Sequence, residues 1–156
     1  MNLRKAKESD SELLLRWANE PETRKYSFNT KQITPEEQRK WLRNKFADPN
    51  CHILIGSDNG KLVGVVRFQV ENGAATVSVS VDKNCRGKGY GTALIEHGIR
   101  YMRTVGVDSF LALVKLGNEA SVKAFKRAGF LYDKQQMFPE PMARFTLTLS
   151  SASHGH

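Results

Sequence analysis

Between Cys51 and Thr92 the chain lays out three strand-like segments, two asparagine–glycine turns and a glycine-rich loop that opens a helix. This run decides what the rest can fold into. Cys51–Ser57 is apolar and partly β-branched, Asp58-Asn59-Gly60 is a hairpin signal, and Lys61–Val70 is the partner strand. Asn72-Gly73 is a second hairpin signal, and Ala74–Asp82 is a third strand. Val77, Val79 and Val81 alternate with Ser78 and Ser80, the period-two pattern of a strand with unlike faces. Three consecutive strands joined by tight turns exclude a doubly wound nucleotide fold.

The loop itself is Arg86-Gly87-Lys88-Gly89-Tyr90-Gly91-Thr92. Its three glycines remove side chains where a backbone must come close to something or adopt positive φ. The helix that follows offers unpaired N–H groups and a partial positive charge, and Arg86 and Lys88 add full charges beside them. The loop therefore reads as a diphosphate cradle. A P-loop would need Lys then Ser or Thr after the last glycine, whereas Gly91 is followed by Thr92-Ala93. A dinucleotide-binding turn would open a parallel β-α-β unit, with an acidic residue about 20 positions on. Asp108 is near that spacing, but the two preceding hairpins give the wrong context.

The flanks supply the remaining elements. Leu3–Lys7 reads as a first strand, and Ser9-Asp10-Ser11-Glu12 as a capping box before a helix with Leu13, Leu14, Trp17 and Ala18 at helical spacing. Thr34-Pro35-Glu36-Glu37 starts a second helix that runs through Trp41, Leu42 and Phe46. Leu94, Ile95, Ile99 and Met102 mark the buried face of a helix over Tyr90–Val105. Ser109–Lys115 is a strand, and Asn118–Arg127 is a helix closed by Gly129. Phe130–Phe138 and Met142–Leu149 are the last strands. The expected fold is α/β with a mixed sheet and helices on both faces, in the order β-α-α-β-β-β-α-β-α-β-β. It forms one domain over residues 1–149, with 150–156 a small, polar, disordered tail.

No apolar run approaches a membrane span, and the charged start Met1-Asn2-Leu3-Arg4-Lys5 gives no secretory signal, so a cytoplasmic protein is expected. Cys51 and Cys85 lack CxxC spacing, and the histidines form no i,i+4 pair, so no metal is expected. The net charge of +8 favours anionic partners. The basic residues are spread along the whole chain, which argues against a dedicated nucleic-acid arm.

Arg86-x-x-Gly89-x-Gly91 resembles the R/Q-x-x-G-x-G/A signature of the GNAT superfamily of acyl-CoA-dependent acetyltransferases. Asn118-Glu119-Ala120-Ser121-Val122-Lys123-Ala124-Phe125-Lys126-Arg127-Ala128-Gly129-Phe130 resembles that family's second motif, at the expected separation. The likeness covers roughly Leu3 to Leu149. It implies acetyl-CoA as cosubstrate and direct attack of an amine on the thioester. Main-chain groups of Val79 and Val81 would pair with the pantetheine arm, and Arg86, Gly87, Lys88, Gly89, Tyr90, Gly91 and Thr92 would hold the pyrophosphate. Asn118 and Ser121 would contact the cofactor, and Phe125 would lie near the thioester sulfur. The Val81 N–H would face the oxyanion. The sequence departs from the family pattern at two places. Phe125 stands where many members carry a proton-donating tyrosine, and Thr76 stands where many carry a glutamate base. Ser80 is the candidate for a water relay, with Ser78, Glu71 and His52 as alternatives.

The segment Leu14–Asn29 is similar to members that acetylate nucleotide-linked 4-amino sugars of the UDP-4-amino-4,6-dideoxy type. It is similar, less closely, to ribosomal-protein N-terminal acetyltransferases. Pro35–Trp41 resembles a helix that both groups share, with Gln38 in place of a frequent histidine. On the first likeness, Trp17, Phe28 and Trp41 would stack on a sugar or base, although core packing is the reading favoured for Trp41; Arg24 and Lys25 would meet a diphosphate, and Asn19 and Asn29 would complete the acceptor site. The expected partners are acetyl-CoA and a small-molecule amine, a nucleotide sugar, with no membrane and with a homodimer left open. A non-catalytic acyl-CoA sensor is the alternative from another class.

Overall fold

The computed structural model describes residues 1–137 and 140–150. The element order is β1 (Asn2–Lys5), α1 (Ser11–Ala18), α2 (Pro21–Lys25), α3 (Pro35–Ala47), β2 (Cys51–Asp58), β3 (Lys61–Glu71), β4 (Ala74–Val81), α4 (Tyr90–Thr104), β5 (Ser109–Lys115), α5 (Glu119–Arg127), β6 (Leu131–Gln136) and β7 (Met142–Thr148), with short 3-10 turns at Glu8–Asp10 and Lys83–Cys85. The strands form a single seven-stranded sheet in the order β1-β2-β3-β4-β5-β7-β6. Every neighbouring pair is antiparallel except β4 and β5, which run parallel.

Local chemistry accounts for most boundaries. Asn59 and Gly60 (φ 52° and 81°), and Asn72 and Gly73 (φ 51° and 81°), make the two hairpin turns. Thr34 caps α3: its Oγ1 accepts from Glu37 N–H (3.1 Å), and the Glu37 carboxylate accepts from Thr34 N–H (3.3 Å). At the end of α5, Phe130 N–H donates to the Phe125 carbonyl and Gly129 N–H to the Lys126 carbonyl (both 3.0 Å), a Schellman closure.

The expected Ser9 capping box is replaced by a different device. The Asp10 carboxylate accepts from both Arg4 guanidinium nitrogens (2.8 Å each) and from Lys7 N–H (2.7 Å). A bidentate, charge-assisted pair outcompetes a neutral serine cap, and α1 starts at Ser11. The short helix α2 is an addition to the expected order. Of the expected tail, Ser150 is described, its carbonyl accepting from Arg103 (3.3 Å), and 151–156 lie outside the described residues. Phe138, expected to end β6, also lies outside them.

The two sheet faces carry separate cores. Leu54, Val66, Phe68, Ala75, Val77, Phe110, Ala112 and Val114 pack under Leu94, Ile95, Ile99 and Met102 of α4 and Phe125 of α5. On the other face Ile53 and Ile55 meet Leu14 and Trp17 of α1 and Leu42 of α3. Close approach of α4 to the sheet depends on Gly98. A Cβ there would stand 2.7 Å from two ring carbons of Phe68, which is fully buried and cannot move aside. Gly98→Val should therefore destabilise the protein by about 1–3 kcal/mol through overpacking. The urea midpoint is expected to fall with an unchanged slope. An unchanged midpoint would contradict the tight helix–sheet contact.

Candidate active site

The parallel pairing of β4 with β5 covers only Ala74↔Ser109, Ala75↔Phe110 and Thr76↔Leu111. Beyond Thr76 the two strands part, although β4 stays paired with β3 to Val81 and β5 stays paired with β7 to Lys115. Asp82 N–H donates to the Val63 carbonyl on β3 (2.8 Å). Main-chain groups alternate sides along a strand, so those of Val77, Val79 and Val81 point away from β3, into the wedge that β5 leaves open.

The glycine loop lies at the end of this free edge. Gly87 (φ 76°) and Gly89 (φ 83°) are left-handed. A Cβ on either would meet nothing within 4 Å, so backbone conformation, not protein packing, calls for glycine there, and the space beside the loop is open. Gly89 is the N-cap of α4 and has no side chain to offer. The first N–H returned within the helix is that of Ala93, to the Gly89 carbonyl (3.1 Å). The amides of Tyr90, Gly91 and Thr92 thus precede the helix's own ladder, at its positive end. Lys88 is exposed beside them. An unpaired strand edge, three helix-terminal amides and an open loop fit a ligand with an amide-bearing arm and a diphosphate.

Arg86 does not add its charge to this cradle. Its guanidinium is paired with Glu20 and, at 3.2 Å, with Glu22. The Glu20 carboxyl is held below its ordinary pKa, chiefly by that hydrogen bond. Tyr90 donates its hydroxyl proton to Asp58 (2.7 Å), so only its main chain faces the loop opening. Asn118 caps α5, its Oδ1 accepting from Ser121 N–H (3.3 Å). Phe125 is 3% exposed and packs edge-on against Phe130, with centroids 5.1 Å apart, so its ring serves the core. An open depression of about 400 Å³ at the start of α5 is lined by Gly117, Asn118, Glu119, Val122, Lys123 and Lys126. Its two lysines had no signal in the sequence beyond their motif.

The acceptor residues expected from the sequence are mostly spent internally. Trp17 is 4% exposed and donates its indole N–H to Asp82 (2.8 Å), which removes it from any stacking role. Asn19 brackets Ile33, donating to its carbonyl and accepting from its N–H (2.7 Å each). Arg24 donates to the Ala18 carbonyl (2.6 Å), the Asn29 carbonyl (2.8 Å) and Ser27 Oγ (3.1 Å). Asn19 and Arg24 thereby shape the α1–α3 connection. Phe28 is exposed, and the Asn29 side chain accepts from Lys31 N–H (3.0 Å).

The missed element is α2, which lies across the wedge. Thr23 Oγ1 is 3.3 Å from Ser80 Oγ on β4. Tyr26 donates its hydroxyl to the Gly117 carbonyl (3.4 Å), and Lys115 Nζ donates to the Lys25 carbonyl (3.4 Å) on the β5 side. Ser78, Ser80 and Thr76 face this same side of the sheet, whereas His52 sits on the other face against Tyr101 and takes no part. Glu71 stands exposed at the β3–β4 turn.

A splayed parallel pair with a bare helix terminus at its mouth suits an acyl-CoA-dependent transferase. The acetyltransferase (GNAT) family model matches residues 12–130, and the chain belongs to that family. It is an N-acetyltransferase of the GNAT type, a family that uses acetyl-CoA. Its sequence is 28% identical over 137 residues to a putative phosphinothricin acetyltransferase, YwnH, of Bacillus subtilis, covering 83% of each chain. Its fold matches a ribosomal-protein-alanine N-acetyltransferase from Brucella melitensis (TM-score 0.80, 24% identity, 96% of this chain and 100% of that one). It also matches a spermidine N-acetyltransferase from Vibrio cholerae in complex with CoA and spermine (TM-score 0.84, 18% identity, 94% of each). Among the described residues no helix is long and apolar enough to cross a membrane, and no cluster of three or more His, Cys, Asp or Glu residues could hold a metal.

Asp82 joins α1 to the loop entrance, accepting from Trp17 and from Asn84 N–H (2.9 Å). These bonds, that from Trp17 first, hold its carboxyl below the usual pKa. Glu20 and Asp10 are depressed likewise, by Arg86 and Arg4. A depressed native pKa contributes stability that is complete above the unfolded value of about 4 and disappears as pH falls through the lower native value. The contribution of these three carboxylates should therefore be flat above about pH 5 and decline below about pH 4. Asp82→Asn should cost about 1 kcal/mol at pH 7 and make the acid decline shallower. Calorimetric melting at pH 7 and pH 3.5 checks both, and an acid decline as steep as that of the parent would contradict the assignment.

Proposed function

We propose that the enzyme passes the acetyl group of acetyl-CoA directly to a primary amine of a small molecule that enters from the α1–α3 side of the sheet. The supporting observation is the coincidence of the open β4 edge with the uncapped start of α4. The first can pair with a pantetheine arm as an added strand would, and the second can receive the diphosphate. Acetyl-CoA supplies an activated acyl carbon. The chain's own residues position it and receive the amine.

Holding the two reactants at the wedge removes much of the cost of their encounter. In this reading Val81 N–H, directed into the wedge, stabilises charge developing on the carbonyl oxygen. A new C–N bond forms as the C–S bond breaks, and the amine's proton leaves by the paired hydroxyls of Ser80 and Thr23. Phe125 can donate no proton, so the thiolate departs unassisted by that position. Tyr90, Gly91 and Thr92 hold phosphate through their amides, with Gly87, Gly89 and Lys88 beside them. Asn118 and Ser121 shape the far wall at α5.

A nucleotide-linked 4-amino sugar is the narrower acceptor that the likeness of Leu14–Asn29 suggests. Of the residues assigned to it, Trp17, Asn19 and Arg24 are occupied elsewhere, which leaves Lys25, Phe28 and Asn29 as its support.

Gly89→Asp would force an L-residue into φ 83° and place a carboxylate where phosphate binds. Acetyl-CoA affinity by calorimetry should drop roughly 100-fold or more, with the fold retained. Unchanged affinity would sink the cradle. Release of thiol with a panel of amines tests turnover. Tight cofactor binding with no release for any amine would favour an acyl-CoA sensor over an enzyme.

A further inference from the structure

On the acceptor side of the sheet, Arg67 stands over an aromatic ring with, among the described residues, no carboxylate partner. Arg67 leaves β3 on the same side as Val65, beneath α3, and is partly buried. Its guanidinium lies over the Trp41 ring, 5.0 Å from the centroid, and Nη2 donates to Ser78 Oγ at a long 3.4 Å. Among the described residues no carboxylate pairs with it. The other charged groups of this corner are engaged with one another. Lys45 donates to Gln69 (2.9 Å), Gln69 donates to Asp48 (2.9 Å), and Asp48 also accepts from Asn50 N–H (2.8 Å). An indole face and one neutral hydroxyl leave most of a half-buried guanidinium's five donors unused. Burial accordingly pushes the Arg67 pKa below its ordinary value.

A second group is also unspent. Gln38 lies one turn before Trp41 on α3 and is 4% exposed. Its carboxamide makes no hydrogen bond among the described residues. Two adjacent turns of α3 and the strand below thus carry polar groups that keep hydrogen-bonding capacity for a ligand. The position suits one. Arg67 is opposite Ser78 in register, and Ser78 sits between Val77 and Val79, whose main-chain groups edge the wedge. One strand spacing, about 4.8 Å, separates the row of Arg67 from the strand beside which the amine must react.

We propose that Arg67 is the anion-recognition residue of the acceptor site, and that the acceptor is a compact amine carrying a carboxylate a few bonds from its nitrogen. The short span from Arg67 to the wedge fits such a molecule. A single planar guanidinium suits one carboxylate, and the neighbouring Lys45, 5.9 Å from the same Trp41 ring, is bonded to Gln69. This inference rests on the acetyltransferase reading above.

The test is thiol release from acetyl-CoA with matched acceptors: amino acids, their carboxamides, the corresponding decarboxylated amines, and an amino-sugar nucleotide. The wild type should prefer acids over their carboxamides by roughly 10- to 100-fold in kcat/KM, the worth of a charge-assisted bond. Arg67→Met should collapse that ratio towards one, mainly through KM for the acid. Arg67→Lys, which keeps the charge but loses the planar fork, should fall between. Melting and acetyl-CoA affinity report whether each variant is folded. If Arg67→Met does not fold, the wild-type ratio and Arg67→Lys still decide. No wild-type preference for acids, a preference that survives Arg67→Met, or best turnover of the nucleotide sugar would each overturn the proposal while leaving the enzyme reading intact. No release with any amine would remove the enzyme reading itself, and this inference with it.

Discussion

The shortness of one ladder governs this molecule. Parallel strands cannot be joined by a hairpin, so β4 must reach β5 through a crossover, and α4 is that crossover. A crossover helix begins where the first strand ends. The start of α4 therefore falls at the end of β4, beside the edge that is freed when β4 and β5 part after Thr76 and Leu111. Two kinds of unsatisfied main chain, a strand edge and a helix terminus, are thus brought together by connectivity alone. Buried main-chain groups without partners are costly, and this wedge keeps them accessible to a ligand.

What closes the wedge on the acceptor side is held by contacts distant in sequence. Helix α2 is five residues long and has no buried residue of its own. It stays in place through Arg86 with Glu20 and Glu22, the Thr23–Ser80 contact, and Tyr26 and Lys115 on the far arm. Each is individually weak, and exposed ion pairs add little. Their effect is to join α2 to both arms and to the glycine loop. Arg86 thereby acts as a tie between the acceptor segment and the cofactor loop.

Features set by near neighbours were legible in the sequence. The Asn59-Gly60 and Asn72-Gly73 turns, the Thr34–Glu37 cap and the Leu94, Ile95, Ile99, Met102 stripe all depend on residues within a few positions of each other. The glycine loop was legible for the same reason. Features set by partners far along the chain were not. Trp17 looked available for stacking because Asp82, 65 residues away, is invisible to local pattern. Arg24 looked like a ligand for phosphate, yet carbonyls of the chain reversal around it take its donors. Ser9 looked like a cap until Arg4 and Asp10 formed a stronger pair. Arg67, in the middle of an apolar strand, was the local anomaly that could have been noticed. A cation between Val66 and Phe68 must be explained by either a partner or a ligand.

The two cores make the remaining step. Helices α4 and α5 rest on one face of the sheet, whereas α1 and α3 and the residues Arg67, Ser78 and Ser80 belong to the other. On the function proposed above, the faces meet at the β4 edge, where main-chain groups would serve the cofactor and side chains of alternate residues the acceptor. A substitution on the α3 side can therefore change which amine is received without disturbing the grip on phosphate. The relatives share the cofactor-side fold yet are named for unlike acceptors, a putative phosphinothricin acetyltransferase and a spermidine N-acetyltransferase among them. That divergence is what a sheet with chemically independent faces permits. It also directs any argument about this chain's acceptor to the residues of β3, β4 and α3, because the glycine loop carries no information about it.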